Sequence, residues 1–308
     1  MSLNGCDYDY IVIGSGAGGG TFAGIAAVTG AKVLVIERGP RAAQLDNDHL
    51  VNQRLSIYGH NAGPDATQTR IVDGRRELPW APGFQANAAM LGGGTQVYGA
   101  QAWRFHPNDF RMASHYGVPE GSSLADWPIT YSEIEPWYAI AERMIGVSGD
   151  AASMVHLPTY KAQYPMPPIK AGNPGKVLRA GVESLGWRSC TVPLAINSVP
   201  NDGRPACHQC EECVGFVCPT GAKNGSHNTW LARGLASGNL ILLTDTVVTK
   251  IHHSGGDVKS VTIINEADGE VELLDAVLLL VVVDHAHAAR AAQPMNRSLG
   301  VHPPPSAR

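Results

Sequence analysis

Asp7 to Gly39 reads DYDYIVIGSGAGGGTFAGIAAVTGAKVLVIERG, and this stretch decides the fold. Tyr8 to Ile13 is an apolar, β-branched run of strand length. It enters Gly14-Ser15-Gly16-Ala17-Gly18-Gly19, which is G-x-G-x-x-G. Thr21 to Thr29 spaces small and apolar residues as a helix packed on a sheet does, and Gly30 stands where a helix C-terminal glycine belongs. Lys32 to Ile36 is a second buried-strand run, ended by Glu37. Gly14 allows the tight turn, Gly16 lets backbone approach a pyrophosphate, and Gly19 lets helix and strand pack closely. Ala17 and Gly18 lie at the helix N-terminus, which favours negative charge. Glu37 follows the glycines by about twenty residues, where a carboxylate can accept both ribose hydroxyls. A glycine-rich turn that binds nothing is the alternative for the motif alone. Strand, helix, second strand and acid in register argue against it, and the stretch implies an adenine dinucleotide site.

Working outward, 308 residues allow about two domains and a sizeable core. The net charge of −4 shows no basic excess for nucleic acid, and no block of like charge suggests an interaction tail. The N-terminus lacks the basic and apolar regions of a secretory signal. The longest aliphatic run, Ala276 to Val283, is too short to span a bilayer and suits a buried strand. A cytoplasmic protein with no transmembrane segment is the expectation.

Arg41 to Ala81 is polar and interrupted by Gly and Pro, so it reads as irregular. Gly92-Gly93-Gly94-Thr95 offers backbone N–H groups and close ligand approach, although a flexible loop has the same composition. Ser132 to Ile145 has helical spacing closed by Gly146. Leu157 to Pro174 is Pro-rich and reads as extended, with short helices at Val177 to Leu185 and Asn228 to Ala236. Strands follow at Leu240 to Thr244 and Thr246 to Ile251, then a hairpin of Val258 to Asn265 with Glu270 to Leu274 around Asp268-Gly269.

Four of the six cysteines stand as Cys207-x2-Cys210-x2-Cys213-x4-Cys218, followed by proline. This differs from the ferredoxin run C-x2-C-x2-C-x3-C-P by one residue in the last gap. A structural zinc site joins two knuckles through a longer span. An iron–sulfur cluster is the expectation, with zinc, disulfides and free thiols as alternatives. Cys6 and Cys190 read as ordinary thiols.

Together these motifs resemble the N-terminal part of the glucose–methanol–choline (GMC) flavoprotein oxidoreductases, of a cysteine-bearing type. Four blocks carry the likeness: YIVIGSGAGG with VLVIERG, GGGTQVYGAQAWR, ADWPITYSEIEPWYAIAE, and CPTGAKNGSHNTWLARGLASGNLILLTDTVVTKI. The resemblance implies FAD held by Gly14, Gly16, Ala17, Gly18, Gly19 and Glu37. It places Gly92, Gly93, Gly94 and Thr95 over the isoalloxazine and Val248 against the adenine. Some members attach FAD through a histidine in the second block; Val97 matches that position, so the expectation is non-covalent FAD. Cysteine-bearing members include dehydrogenases that pass flavin electrons through an iron–sulfur cluster.

The implied fold is α/β, a doubly wound Rossmann-like FAD-binding domain interrupted by a substrate-domain segment. Expected boundaries are 1–112 and 205–283 for the FAD-binding parts, the second with the cysteines, 113–204 for the substrate-domain segment, and 284–308 for a disordered tail. The family's C-terminal catalytic His–His or His–Asn pair has no counterpart by motif, as expected of a truncated or frameshifted product. His106 follows the second block and could approach the flavin, but a surface or turn histidine is the expectation; His252-His253 ends a strand, and His285 and His287 fall in the tail. No catalytic residue is assigned. The implied chemistry is oxidation of a CH–OH group of an alcohol or sugar, with hydride passing to flavin N5. Oxygen, a quinone, an acceptor protein or the cysteine-held cluster would take the electrons onward. The rival readings are a non-catalytic FAD-binding fragment and an NAD-dependent dehydrogenase.

Overall fold

The computed structural model describes residues 8–41, 70–72, 75–77, 88, 90–154, 163–210, 213–255, 257–265, 269–275 and 279–281. Cys6, Asp268, His285, His287 and the expected tail lie outside them. In chain order the elements are β1 (Tyr10–Ile13), α1 (Ala17–Val28), β2 (Val33–Ile36), β3 (Arg70–Val72), β4 (Arg75–Glu77), α2 (Met112–Tyr116), α3 (Tyr131–Ile145), α4 (Asn173–Ser184), α5 (Trp230–Ala236), β5 (Leu240–Leu243), β6 (Thr246–Ser254), β7 (Asp257–Asn265), β8 (Val271–Asp275) and β9 (Leu279–Val281). They divide into two compact units. The first comprises Met1–Tyr98, Val214–Val217 and Gly225–Arg308; the second comprises Gly99–Cys213 and Cys218–Asn224. All four clustered cysteines therefore fall in the second unit.

The first unit is built on a parallel sheet of order β5-β2-β1-β9. Tyr10 pairs with Val33, Ile11 with Leu279, and Val33 with Leu240. All four residues of β2 are buried, because both faces of the sheet are covered. Alternation sorts them. Val12, Val33 and Val35 pack with Ala23 and Ala27 of α1 and Leu231 of α5, while Ile11, Leu34 and Ile36 pack with Val261, Ile263 and Leu274. The first face carries helices and the second carries the antiparallel sheet β6-β7-β8. The α/β class is as expected, with an antiparallel sheet as the cover of the second face. Burying each of these aliphatic side chains contributes about 1.5–3 kcal/mol. Where the two helices cross, a Cβ on Gly24 would lie 2.2 Å from the Trp230 carbonyl oxygen, and one on Gly234 would lie 3.0 Å from the Gly24 Cα.

In the second unit, α3 begins with a capping box: the Thr130 hydroxyl accepts from the Glu133 N–H, and the Glu133 carboxylate accepts from the Thr130 N–H. Gly146 ends the helix at φ 90°. Arg104 is buried against it, with Nε and an Nη each donating to a different Glu142 oxygen at 2.7 Å. Its other Nη donates to the Tyr131 hydroxyl at 3.3 Å.

Two expectations are corrected here. Within the stretch read as irregular, β3 and β4 pair antiparallel, Arg70 opposite Glu77. The Asp73-Gly74 pair between them has the residue preference of a two-residue hairpin connection, a signal passed over among the surrounding Gly and Pro. The helix expected from Val177 begins at Asn173 instead. Pro174 falls in the first helical turn, where proline is tolerated because its missing N–H costs nothing, so it does not end the extended run as a breaker would.

Candidate dinucleotide site

The site grows from the end of β1. The Gly14 N–H donates to the Ile36 carbonyl at 2.8 Å, and Gly14 turns the chain at φ 90°. A Cβ on Gly19 would stand 2.1 Å from the Gly14 carbonyl oxygen, so helix and loop meet backbone to backbone. Gly16 differs. Its φ of −60° suits any residue, and a Cβ there would meet nothing within 4 Å. Ala17 and Gly18 are exposed at the first turn of α1, the end of a helix whose N–H groups and dipole favour negative charge.

Glu37 is buried at the end of β2, with its backbone N–H on the Leu243 carbonyl and its carbonyl accepting from Thr246. One carboxylate oxygen accepts from the Ser15 N–H at 2.9 Å and the Ser15 hydroxyl at 2.5 Å; the other accepts from the Gly39 N–H at 2.9 Å. Three donors thus fix the orientation of the acid, and lone pairs are left over for ligand hydroxyls. Val248 lies two residues beyond Thr246 in β6, half-buried on the Ile11–Leu34 cluster.

The second glycine signature folds onto the first. Gly92 and Gly93 take φ of 86° and 52°, both in the left-handed region. A Cβ on Gly93 would lie 3.2 Å from the Gly16 Cα, whereas Gly94 faces open space. The Gly92 N–H donates to the Ser15 hydroxyl at 2.9 Å. The Thr95 hydroxyl donates to the Gly92 carbonyl at 2.6 Å and accepts from the Ser226 N–H at 3.2 Å. The Ser226 hydroxyl closes the circuit on the Ser15 carbonyl at 2.6 Å. Ser15, buried and linked to Glu37, Gly92 and Ser226, is the residue that sequence reasoning missed. It occupies a variable position of the motif, so nothing in the pattern announced it. Ser226 stood within a quoted block without a role. Val97 is buried against Met90 and Phe216.

The residues fit a dinucleotide. The helix N-terminus and the open Gly16 position suit a pyrophosphate, and the held Glu37 suits a ribose.

The cysteines are arranged differently from the expectation. Among the described residues no group of three or more Cys, His, Asp or Glu side chains is placed to hold a metal, and Cys207, Cys210, Cys213 and Cys218 are free thiols. Two of the sulfurs have polypeptide partners: Cys207 accepts from the Gln209 N–H at 3.3 Å and Cys218 from the Lys223 N–H at 3.4 Å. The buried Lys223 ammonium enters the same loop and donates to the Cys213 carbonyl at 2.5 Å. An iron–sulfur cluster is not supported by this arrangement. Burial pushes the Cys213 thiol up, against the pull of Lys223. At Cys218 burial is outweighed by hydrogen bonds from Thr220 and from neighbouring backbone N–H groups, and the net shift is downward. Burial lowers the Lys223 pKa to about 8, against the opposing influence of the thiols. Cys190 is likewise a free thiol.

Two histidines within the described residues have structural partners of a plain kind. His106 caps a turn, its Nδ1 accepting from the Asn108 N–H at 3.2 Å. His252 is bonded to the Thr262 hydroxyl at 2.7 Å.

A parallel sheet, a glycine turn into a helix and an acid at the end of the second strand make up an α/β fold of the Rossmann-like class. The chain belongs to the GMC oxidoreductase family, whose N-terminal family model matches residues 8–283. It is 31% identical over 287 residues to 6'''-hydroxyparomomycin C oxidase of Streptomyces lividus, an alignment covering 92% of this chain and 49% of that protein. It is also 31% identical over 245 residues to the fructose dehydrogenase large subunit of Gluconobacter japonicus, covering 72% and 42%. Among solved structures, a formate oxidase of Aspergillus oryzae shares the fold at a TM-score of 0.56 and 15% identity, covering 89% of this chain and 45% of that one. The chain spans about half the length of the curated relatives it matches. Among the described residues no helix is long and apolar enough to cross a membrane.

Proposed function

We propose that this chain carries the FAD-holding part of an oxidoreductase acting on the CH–OH group of an alcohol or sugar. One observation carries the reading: Ser15 joins Glu37 to Gly92, so two glycine signatures 77 residues apart form one cradle beside the open Gly16 position. The family relatives support it, two of them named for oxidising hydroxyparomomycin C and dehydrogenating fructose. Gly14, Gly16, Ala17, Gly18 and Gly19 would hold the pyrophosphate, Glu37 the ribose, Gly92 to Thr95 the flavin end, and Val248 the adenine edge, all without a covalent bond. FAD bound there would supply the hydride acceptor for alcohol oxidation. The chain's own part is to bind and orient, through the backbone donors of the glycine loops and the held Glu37.

Gly16→Val tests the reading with little interference from folding, since φ is ordinary and the space is free. The purified variant should lose its flavin absorption while keeping the circular dichroism of the parent. Equal flavin content in both would refute the assignment, and a parent with no flavin bands would favour a nicotinamide cofactor. No histidine matches the family's catalytic pair by motif, so the 308 residues alone should bind flavin without turning over alcohols. A positioned base typically contributes about a hundred- to ten-thousand-fold. Anaerobic flavin bleaching by a panel of alcohols and sugars checks this, and rapid bleaching would overturn it.

A further inference from the structure

His227 stands where the two glycine signatures meet, and every residue around it named below belongs to the first unit. Its helical turn, Ser226–Asn228, is pinned from several sides. The Ser226 hydroxyl donates to the Ser15 carbonyl, and the Ser226 N–H donates to the Thr95 hydroxyl. The Gly225 N–H donates to Asn228 Oδ1 at 2.9 Å, and the Thr229 hydroxyl donates to the Gly225 carbonyl at 2.6 Å. Two glycines then enclose the imidazole. A Cβ on Gly92 would lie 2.9 Å from its Nδ1, and one on Gly225 would lie 2.8 Å from the same atom. Gly225 is extended at φ −149°, a conformation open to any residue. Room for the ring and for Thr95, rather than backbone freedom, therefore calls for glycine there. The place of this ring is built into the loops around it.

We infer that His227 is a further ligand of the dinucleotide, its imidazole Nε2–H donating to a diphosphate oxygen; this rests on the cofactor reading above. Three observations point there. Gly92 lies against the ring, and a Cβ on the next residue, Gly93, would lie 3.2 Å from the Gly16 Cα, which puts the ring beside the open Gly16 position. Ser226, the residue before it, is bonded to Ser15 inside the first glycine turn. Neither Gly14 to Gly19 nor Gly92 to Thr95 contains a basic side chain, so from these loops a diphosphate receives only backbone donors and the helix dipole. An imidazole adds a directed side-chain donor to that set, and a donor to a charged acceptor makes one of the stronger hydrogen bonds. Nδ1 is buried on the glycine side, so Nε2 at the opposite edge is the nitrogen left to meet a ligand. The residue as a whole is only half-buried, unlike Gly225 and Ser226 before it.

The test compares the flavin-free 308-residue chain with His227→Gln, which keeps an N–H donor, and His227→Leu, which keeps bulk without one. Dissociation constants are measured for FAD and for adenosine diphosphate, which carries the diphosphate without a flavin. His227→Leu should weaken both ligands by about tenfold or more, the loss of one hydrogen bond to a charged acceptor. His227→Gln should stay within about threefold of the parent, because a donor remains. The ring nitrogen resonances of His227, identified by their loss in His227→Gln, should shift when adenosine diphosphate is added to the parent. Unchanged affinity in His227→Leu, a loss for FAD without one for adenosine diphosphate, or ring resonances indifferent to the diphosphate would each overturn the inference while the cofactor reading stands. Equal losses in both variants, with a lowered thermal midpoint of the unliganded chain, would make the ring a packing element and overturn it too. A parent that binds neither ligand would overturn the cofactor reading and this inference with it.

Discussion

The glycine loop Gly14 to Gly19 and the cysteine loop Cys207 to Cys218 are equally conspicuous as sequence, and they differ once folded. In the glycine loop the spacing serves contacts that the polypeptide makes with itself: Gly19 against the Gly14 carbonyl, Gly93 against Gly16, Ser15 with Glu37 and Gly92. In the cysteine loop Cys207 and Cys218 find partners in the backbone of Gln209 and Lys223 and in the Thr220 hydroxyl, and a buried ammonium occupies the same loop. A spacing motif is trustworthy where packing of the chain itself demands the spacing. Where the motif only supplies ligand types, neighbouring backbone and hydroxyl groups take them up.

The contrast can be broken hardest at Gly19. Gly19→Ala should cost about 3 kcal/mol or more, since its Cβ meets a backbone oxygen that cannot swing aside. Soluble yield and thermal midpoint measure it. An alanine variant as stable as the parent would show that the loop is not packed as described. Ser15→Ala comes next. It takes an acceptor from the Gly92 N–H and a donor from Glu37, at a cost of about 1–3 kcal/mol for buried groups left unpaired. The urea midpoint should fall with the slope unchanged, and flavin should be retained less tightly.

Lys223→Met probes the other loop, with the opposite sign. With a folded pKa near 8 against an ordinary 10.5, the folded protein binds fewer protons than the unfolded chain between those values. Parent stability therefore rises with pH through that window, and the burial penalty is carried in full below about pH 8. Methionine removes the penalty and forfeits the hydrogen bond to Cys213, for a net gain of about 1–2 kcal/mol at pH 7. The gain should fade towards pH 10. Chemical unfolding at several pH values checks it, and a loss at pH 7 would mean that the ammonium is better paired than burial suggests.

Much of the first unit is legible because its signals are periodic and local. Four-residue apolar runs bounded by turn or polar residues are too short for a helix and suit buried strands, and β1, β2 and β5 follow from them. The hairpin of β7 and β8 follows from alternation around Asp268-Gly269. Less legible are contacts whose chemistry is generic. A serine within a glycine motif gives no sign that its hydroxyl joins an acid to a second loop. Arg104, at the end of a quoted block, gives no sign that Glu142 awaits it 38 residues later. The antiparallel cover on the sheet is hard to foresee for a related reason: which layer closes a face depends on residues far along the chain.

That distance has a consequence for synthesis. β1 is bordered on one side by β2 and on the other by β9, and about 270 residues separate Ile13 from its partner Val281. At roughly 5–20 residues per second, the first strand waits on the order of 15–50 s after emerging before the ninth can reach it. β2 waits nearly as long for β5, since Val33 pairs with Leu240. Through that interval two aliphatic strands present open edges to other nascent chains, the arrangement most prone to pairing between molecules. The hazard belongs to the ribosome rather than to the finished sheet.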